Sequence, residues 1–179
     1  MRSVTYRLIL AALFAALSAV GAFIRIPFFL SAITLQFFFT ALAGLLLGAR
    51  WGAASQLVYV LLGLAGLPVF AAGGGLSYVL QPTFGYVLGL IPAAWVIGRL
   101  GAGADGVPRL LLACAAGLAA DYAVGLPYLA LAANGYLAQG LGLWQLVCSG
   151  MLIYLPADSL KLLAAALLAA RLLPRLRRL

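Results

Sequence analysis

Six long apolar stretches follow one another along this 179-residue chain, and a fold must give each of them surroundings that exclude water. Five of them are close to the roughly 20 residues that an α-helix needs to cross a bilayer, and the sixth is longer. Charged residues make up only 8% of the chain, against about a quarter in a water-soluble domain, so its outer surface must face lipid. We therefore predict an all-α integral membrane protein, a bundle of six transmembrane helices at about residues 6–24, 33–49, 52–67, 79–98, 109–131 and 143–171.

The joints between these spans carry the charges that orient the chain. The joints lie at about residues 25–31, 48–52, 66–78, 99–108 and 134–142. Arginines fall on one side of this arrangement at Arg2, Arg7, Arg50, Arg99, Arg109, Arg171, Arg175, Arg177 and Arg178, whereas only Arg25 falls on the other. Because cytoplasmic segments carry the excess of Lys and Arg, we expect both termini to be cytoplasmic and the first, third and fifth joints to face outward. With no linker and no repeat, residues 1–179 are expected to form a single domain.

Several kinds of chemistry have no residues to support them. Histidine, the commonest metal ligand and general base, is absent. Cys114 and Cys148 lie in or beside apolar runs and have neither metal-ligand nor disulfide spacing. No Lys-Ser or Lys-Thr follows the glycines of the third joint, so the chain has no phosphate-binding loop. We expect no metal and no cofactor.

The third joint, which faces outward, is the loop richest in binding groups. Three glycines in a row allow positive φ and let the backbone approach a ligand closely. Amide and hydroxyl side chains follow, and the tyrosine rings add apolar faces. The candidate ligand contacts in this segment are Gly73, Gly74, Gly75, Tyr78, Gln81, Thr83 and Tyr86. The alternative is a flexible turn that precedes the next helix.

Asp158 and Lys161 place two charges near the middle of the sixth predicted span. Each costs about 2.5–3.5 kcal/mol at the centre of a membrane helix. The spacing of three residues lets the two pair on one helix face, which lowers that cost. Either they form a structural ion pair or they anchor a polar ligand in a cavity. Pro156 is expected to kink the helix one turn earlier.

Three further features concern buried polar groups and helix contacts. Asp121 lies in the fifth span and either joins Lys161 or stays neutral, as part of a site or of the scaffold. Gln36 precedes an aromatic run and is a candidate ligand contact or a bond between helices. The first span carries small residues at spacings of four, which let another helix of this chain or of a partner approach closely. These residues are Ala11, Ala12, Ala15, Ala16 and Ala19.

An ordered set of short motifs resembles a known family. The motifs are Ile33–Gln36, Leu42–Gly48, Gly66–Phe70, Gly73–Gly75, Gln81–Tyr86 and Pro156–Asp158 with Lys161. Together they are similar to BioY, the biotin-binding S component of energy-coupling-factor vitamin transporters. The resemblance runs from about residue 8 to residue 171 and is strongest over 33–98. It departs from some relatives at Gly73–Gly75 and Val87, where those carry Arg, and at Ala157, where Gly is usual.

The resemblance implies a function and a set of partners. It implies six helices with a biotin pocket near the outer face, in which Asp158 and Lys161 contact the vitamin and the glycine loop and Tyr86 form a wall. The Ala11, Ala15 and Ala19 face would contact a membrane coupling protein, which works with two cytoplasmic ATPase subunits in the bacterial cytoplasmic membrane.

Three alternatives stay open at this point. In the first, the chain is an S component for another vitamin, such as riboflavin or thiamin. In the second, it is a small intramembrane enzyme that uses Asp158, Lys161 and Asp121, although no nucleophile is placed beside them. In the third, it is a passive channel, but the sequence lacks the repeated rings of charge that channels use for selectivity.

Overall fold

The computed structural model describes residues 4–28, 31–104 and 106–178, most of which are helical; Arg2 lies outside this part. The elements are α1 (Val4–Phe23), β1 (Arg25–Phe28), β2 (Ser31–Thr34), α2 (Gln36–Leu64), a 3₁₀ helix (Leu76–Leu80), α3 (Phe84–Leu100), α4 (Val107–Leu131), a π-helical turn (Ala132–Tyr136), α5 (Leu143–Val147), a second π-helical turn (Cys148–Leu152) and α6 (Leu155–Arg178). Among the described residues, four segments are long and apolar enough to cross a membrane: Val4–Phe23, Gln36–Leu64, Val107–Tyr136 and Leu143–Leu176. The chain is a multi-pass membrane protein.

Helix α2 is broken at Gly48, where the backbone has φ 80° and ψ 176°. Such a positive φ suits glycine, which has no Cβ to clash. The two halves, 36–47 and 49–64, fold back on each other. A hydrogen bond from Thr40 Oγ1 to Gln56 Oε1 at 3.0 Å joins them. Sixteen residues of unbroken helix would instead span about 24 Å. The break lies at the start of the second predicted joint.

A β-hairpin corrects the all-α prediction. Strands β1 and β2 pair antiparallel, with Arg25 opposite Thr34. The hairpin begins in the first predicted joint, and β2 continues into the start of the second predicted span. Pro27 cannot continue a helix, and β-branched residues such as Ile33 and Thr34 favour extended backbone. The second predicted span therefore begins as a helix only at Gln36.

The sixth predicted span is not one regular helix, which corrects two expectations. A π-helical turn at Cys148–Leu152 separates α5 from α6. Because α6 begins at Leu155, Pro156 lies in its first turn, where a missing N–H costs little, and no kink follows. Asp158 also lies in the first turn rather than in mid-helix, and there the helix dipole favours its negative charge.

The helices pack into one bundle with an apolar exterior. Helix α2 packs against α1, α3 and α6, and α4 packs against α3 and α6. The largest fully buried side chains include Tyr59, Phe70, Ile97 and Leu110. Large apolar side chains such as Ile9 and Leu112 are exposed on the outside. A lipid bilayer covers such a surface without cost.

The structure divides the alanine set of the first span. Ala11 and Ala15 are buried against other parts of this chain, at 5% and 3% exposure. Ala12 and Ala16 are exposed, and Ala19 is half-buried. The chain's own bundle thus covers one small-residue face of α1, and the face through Ala12 and Ala16 stays open.

A buried polar network joins α1 to both halves of α2. Ser18 Oγ and Thr40 Oγ1 both donate to Gln56 Oε1, at 3.2 and 3.0 Å. Gln56 Nε2 donates to Ser55 Oγ at 3.1 Å. All four residues are fully buried. One amide therefore satisfies hydroxyl groups from three segments of the bundle.

Replacing Gln56 by Ala is expected to destabilise the bundle. The change removes the partner of the buried Ser18 hydroxyl, and such a group costs about 1–3 kcal/mol. Thr40 and Ser55 keep their hydrogen bonds to the carbonyl oxygens of Gln36 and Gly52. Thermal unfolding in detergent should show a melting temperature several degrees lower than that of the unmodified chain. The exposed Gln139 offers a matched control, since Gln139→Ala removes the same amide from a loop. Equal melting temperatures for the two variants would contradict the structural role of the network.

Candidate ligand-binding site

A cavity of about 340 Å³ lies among the hairpin, the loop between α2 and α3, and helices α2, α3, α4 and α6. This volume lies within the range of about 300–1,000 Å³ typical of small-molecule sites. Seven residues predicted from sequence lie on its wall: Gln36, Tyr78, Gln81, Thr83, Tyr86, Asp158 and Lys161. They come from segments more than a hundred residues apart in the chain.

Asp158 and Lys161 form the polar centre of this wall. Lys161 Nζ makes an ion pair with Asp158 Oδ1 and donates to the carbonyl oxygen of Thr34 at 3.0 Å. The hydroxyl of Tyr122 donates to Asp158 Oδ2. Asp158 is 7% exposed, so these partners fix its orientation. A carboxylate has about four acceptor positions, which leaves acceptor capacity for a ligand N–H.

A chain of hydrogen bonds connects this centre to the loop over the cavity. Thr34 Oγ1 donates to Gln36 Oε1 at 3.0 Å, and Gln36 Nε2 donates to the hydroxyl of Tyr59 at 2.8 Å. Tyr59 in turn donates to the carbonyl oxygen of Val69 at 3.0 Å. Gln36 therefore lines the cavity and also links the two halves of α2 through Tyr59.

The three glycines of the loop lie behind the cavity wall rather than on it. Gly73 and Gly75 have φ values of 119° and 94°, and a Cβ on Gly74 would overlap the carbonyl of Leu67. The amide of Gly75 donates to the carbonyl oxygen of Gly63 at 2.7 Å. The glycines thus fold the loop onto the end of α2. Their neighbours Ala71 and Ala72 reach the wall instead.

Aromatic rings and aliphatic side chains form the apolar part of the wall. The Tyr86 hydroxyl donates to the carbonyl oxygen of Gly150 at 2.8 Å, and its ring meets that of Tyr122 edge to face at 6.1 Å. Tyr78, in the loop, is buried, and this burial raises the pKa of its hydroxyl above the usual value. Both tyrosines are neutral donors beside apolar surface. The aliphatic residues of the wall are Ile33, Val87, Leu90, Leu118 and Leu129.

Comparisons with known proteins agree on one family. The BioY family model matches residues 1–178. The chain belongs to the BioY family. A probable biotin transporter BioY from Lysinibacillus sphaericus is 47% identical over 170 residues, covering 94% of this chain and 87% of that protein. The biotin transporter BioY of Thermotoga maritima is 39% identical over 167 residues, covering 93% and 95%.

A solved structure shares the fold. The crystal structure of the S-component for biotin from an ECF-type ABC transporter matches with a TM-score of 0.79 and 25% sequence identity. The match covers 94% of this chain and 90% of the other. The resemblance drawn from the ordered motifs is thereby confirmed, and the chain has the S-component fold.

In this BioY family member, Asp121 also lies on the cavity wall. It is 6% exposed, and its Oδ1 atom finds no hydrogen-bond partner among the described residues. A Cβ on Gly89 would overlap this oxygen, so the acid is packed closely against α3. The ion pair of Lys161 is made with Asp158. Sequence alone left the place of Asp121 open, and the structure puts it on the wall of the cavity.

Several wall residues carry no signal in the sequence of this BioY chain. Tyr122, Ser149 and Tyr154 line the cavity, yet none of them belongs to a motif, and Tyr122 is marked only by its neighbour Asp121. Arg25 lines the cavity too. The sequence singles it out only as the arginine that falls on the outward side of the predicted arrangement. No group of three His, Cys, Asp or Glu side chains within the described ranges is arranged to hold a metal ion.

Proposed function

We propose that this chain binds biotin with high affinity and takes it up across the cytoplasmic membrane as the substrate-specific S component of an ECF-type vitamin transporter. The observation that carries the proposal is the cavity itself, in which a fixed Asp158–Lys161 pair lies beside apolar and aromatic walls. Biotin has an apolar bicycle and chain, a ureido group with two N–H donors and one carbonyl, and a carboxylate. A mostly apolar cavity with a few placed polar groups suits that mixture.

The proposed contacts follow from the chemistry of the wall. Asp158 accepts a ureido N–H, and Lys161 donates to the ureido carbonyl. Tyr86 and Tyr78 offer ring faces to the apolar parts of biotin. Gln36, Gln81 and Thr83 complete the set of hydrogen-bonding groups. Gly73, Gly74 and Gly75 contribute by holding the loop that carries Tyr78 over the cavity.

The proposed topology has six membrane crossings in a single domain over residues 1–179. The two halves of α2 count as separate crossings, because they fold back on each other at Gly48. Both termini are placed in the cytoplasm. In support, Arg7, Arg50 and Arg99 come together around a second cavity, away from the first. Positive charge collected at one end of a bundle marks the cytoplasmic side.

The proposed partners are a membrane coupling protein and two cytoplasmic ATPase subunits in a bacterium. The chain has no ATP-binding motif, so import against a gradient requires these subunits. The role proposed for the chain is capture of the vitamin, without a catalytic step or a cofactor.

Radiolabelled biotin uptake tests this function. Cells that produce the chain together with ECF coupling and ATPase subunits should accumulate biotin. Excess unlabelled biotin should suppress the uptake, and riboflavin and thiamin should not. An S component for either of those vitamins would accumulate no labelled biotin but would accumulate its own labelled vitamin, and an enzyme would accumulate none of the three.

Ala16→Leu is expected to prevent assembly with the coupling protein while biotin binding survives. Ala16 is exposed on α1, and a larger side chain there blocks the close approach that small residues permit. Co-purification with the coupling and ATPase subunits measures assembly. The exposed Leu13, replaced by Ile, is a control at the same depth of the helix. Normal assembly of the Ala16→Leu chain would remove this face from the interface.

Ala15, which the resemblance places in that interface, is buried within this chain. A Leu at that position would therefore test the packing of the chain itself and not its assembly with the coupling protein.

A further inference from the structure

The charges on the cavity wall are unevenly paired. Two cations, Arg25 and Lys161, and two acids, Asp121 and Asp158, line the cavity. Lys161 is compensated by its ion pair with Asp158. Arg25 forms no ion pair with any described residue, and one of its guanidinium nitrogens donates a hydrogen bond to the carbonyl oxygen of Ala71. One positive charge of the wall therefore lacks a counter-charge.

Arg25 is placed at the exposed part of the site. It is the first residue of β1, opposite Thr34, and its side chain is exposed, unlike the buried Asp158. Its bond to Ala71 brings the guanidinium to the loop that covers the cavity. A guanidinium has five N–H donors in a planar fork, so several remain for a ligand. Paired donors of this kind suit a carboxylate, which they bind in bidentate geometry.

No other Lys or Arg of the outward-facing segments can bind a ligand carboxylate in place of Arg25. The loop over residues 65–83 and the segment over 132–142 contain no Lys and no Arg. The inner wall carries Asp121 and Asp158, and a ligand carboxylate placed against these acids would lose hydration among like charges. Lys161 already forms an ion pair with Asp158 and donates to the carbonyl oxygen of Thr34. A negative group on the ligand thus finds its favourable position beside Arg25.

On the basis of the function proposed above, we infer that Arg25 binds the carboxylate of biotin and fixes the orientation of the ligand, with the ureido ring at Asp158 and Lys161. The carboxylate then lies near the exposed rim, where its desolvation is smallest. The bicyclic ring lies against the aromatic wall. Arg25 is the residue that distinguishes an acid from its neutral derivatives.

A cycle of two ligands and two proteins tests this assignment. Biotin and biotin amide, in which a neutral carboxamide replaces the carboxylate, are titrated into the unmodified chain and into Arg25→Gln. Loss of a charge-assisted bond should weaken biotin binding by about 10- to 100-fold. Binding of the amide should be nearly the same in both proteins. Arg25→Lys should recover part of the affinity for biotin, and Arg109→Gln, at the start of α4, should change neither ligand.

The outcomes separate this inference from the function it rests on. If Arg25→Gln weakens biotin and its amide equally, Arg25 only holds the loop through Ala71, and the carboxylate assignment is wrong. If neither ligand is affected, it is wrong as well. If the unmodified chain binds no biotin, the proposed function fails and the inference fails with it.

Discussion

Asp158→Ala should reduce the affinity for biotin by about 10- to 100-fold. The variant removes a ligand acceptor and leaves the ammonium of Lys161 without its counter-charge. It also frees the Tyr122 hydroxyl that donates to Asp158. A hydrogen bond to a charged group contributes about 1.5–3 kcal/mol, and each 1.4 kcal/mol is about a factor of ten in binding. The unpaired Lys161 acts on stability instead, since breaking a buried ion pair on one side costs about 3–5 kcal/mol, so the melting temperature should fall as well. Titration of the purified chain in detergent measures the loss.

Matched variants distinguish a lost contact from a lost fold. Ser159 is the next residue, is exposed, and its hydroxyl donates to the carbonyl oxygen of Leu155, so Ser159→Ala should bind biotin normally. The double variant Asp158→Asn, Lys161→Met removes both charges and should restore the melting temperature without restoring binding. Biotin binding by that double variant would show that the ion pair serves the scaffold alone.

Gly98→Ala should strongly reduce the amount of folded protein. A Cβ on Gly98 would overlap the backbone atoms of Gly48 and Ala49, at the break in α2. Both sides of this contact are main chain, so no flexible side chain can yield, and overpacking of this kind costs about 1–3 kcal/mol or more. The expected results are a lower melting temperature and a smaller monodisperse fraction in size-exclusion chromatography.

Gly135→Ala is the control for this prediction. Gly135 lies in a helical turn, and a Cβ there would meet nothing within 4 Å. Its variant should behave like the unmodified chain. If Gly98→Ala is equally stable, the close approach of α3 to the break in α2 is not required for the fold.

The sequence predicts those features of the fold that depend on local composition. Long apolar runs identify membrane helices because a bilayer imposes both their length and their polarity. The break near Gly48 follows from a short polar joint between two such runs. Asp158 and Lys161 are predictable as a pair because a spacing of three residues brings them to one face of a helix.

Other features depend on tertiary contacts and carry no local signal. The bond from Tyr122 to Asp158 joins α4 to α6, and the bond from Lys161 to Thr34 joins α6 to a hairpin. The hairpin occupies a joint too short to show an alternating pattern. The glycines at 73–75 were predicted as ligand contacts from their freedom of backbone, and the structure uses that freedom to fold the loop. For the two side-chain bonds, the deciding partner lies 36 and 127 residues away in the chain.

The central claim is that biotin binds in the cavity that holds Asp158 and Lys161. The most direct test is calorimetric titration of the purified, detergent-solubilised chain with biotin, with Asp158→Ala and Ser159→Ala measured in parallel. The account predicts tight binding of one biotin per chain, retained in Ser159→Ala and weakened in Asp158→Ala. No binding to the unmodified chain, or equal binding to all three proteins, would contradict it.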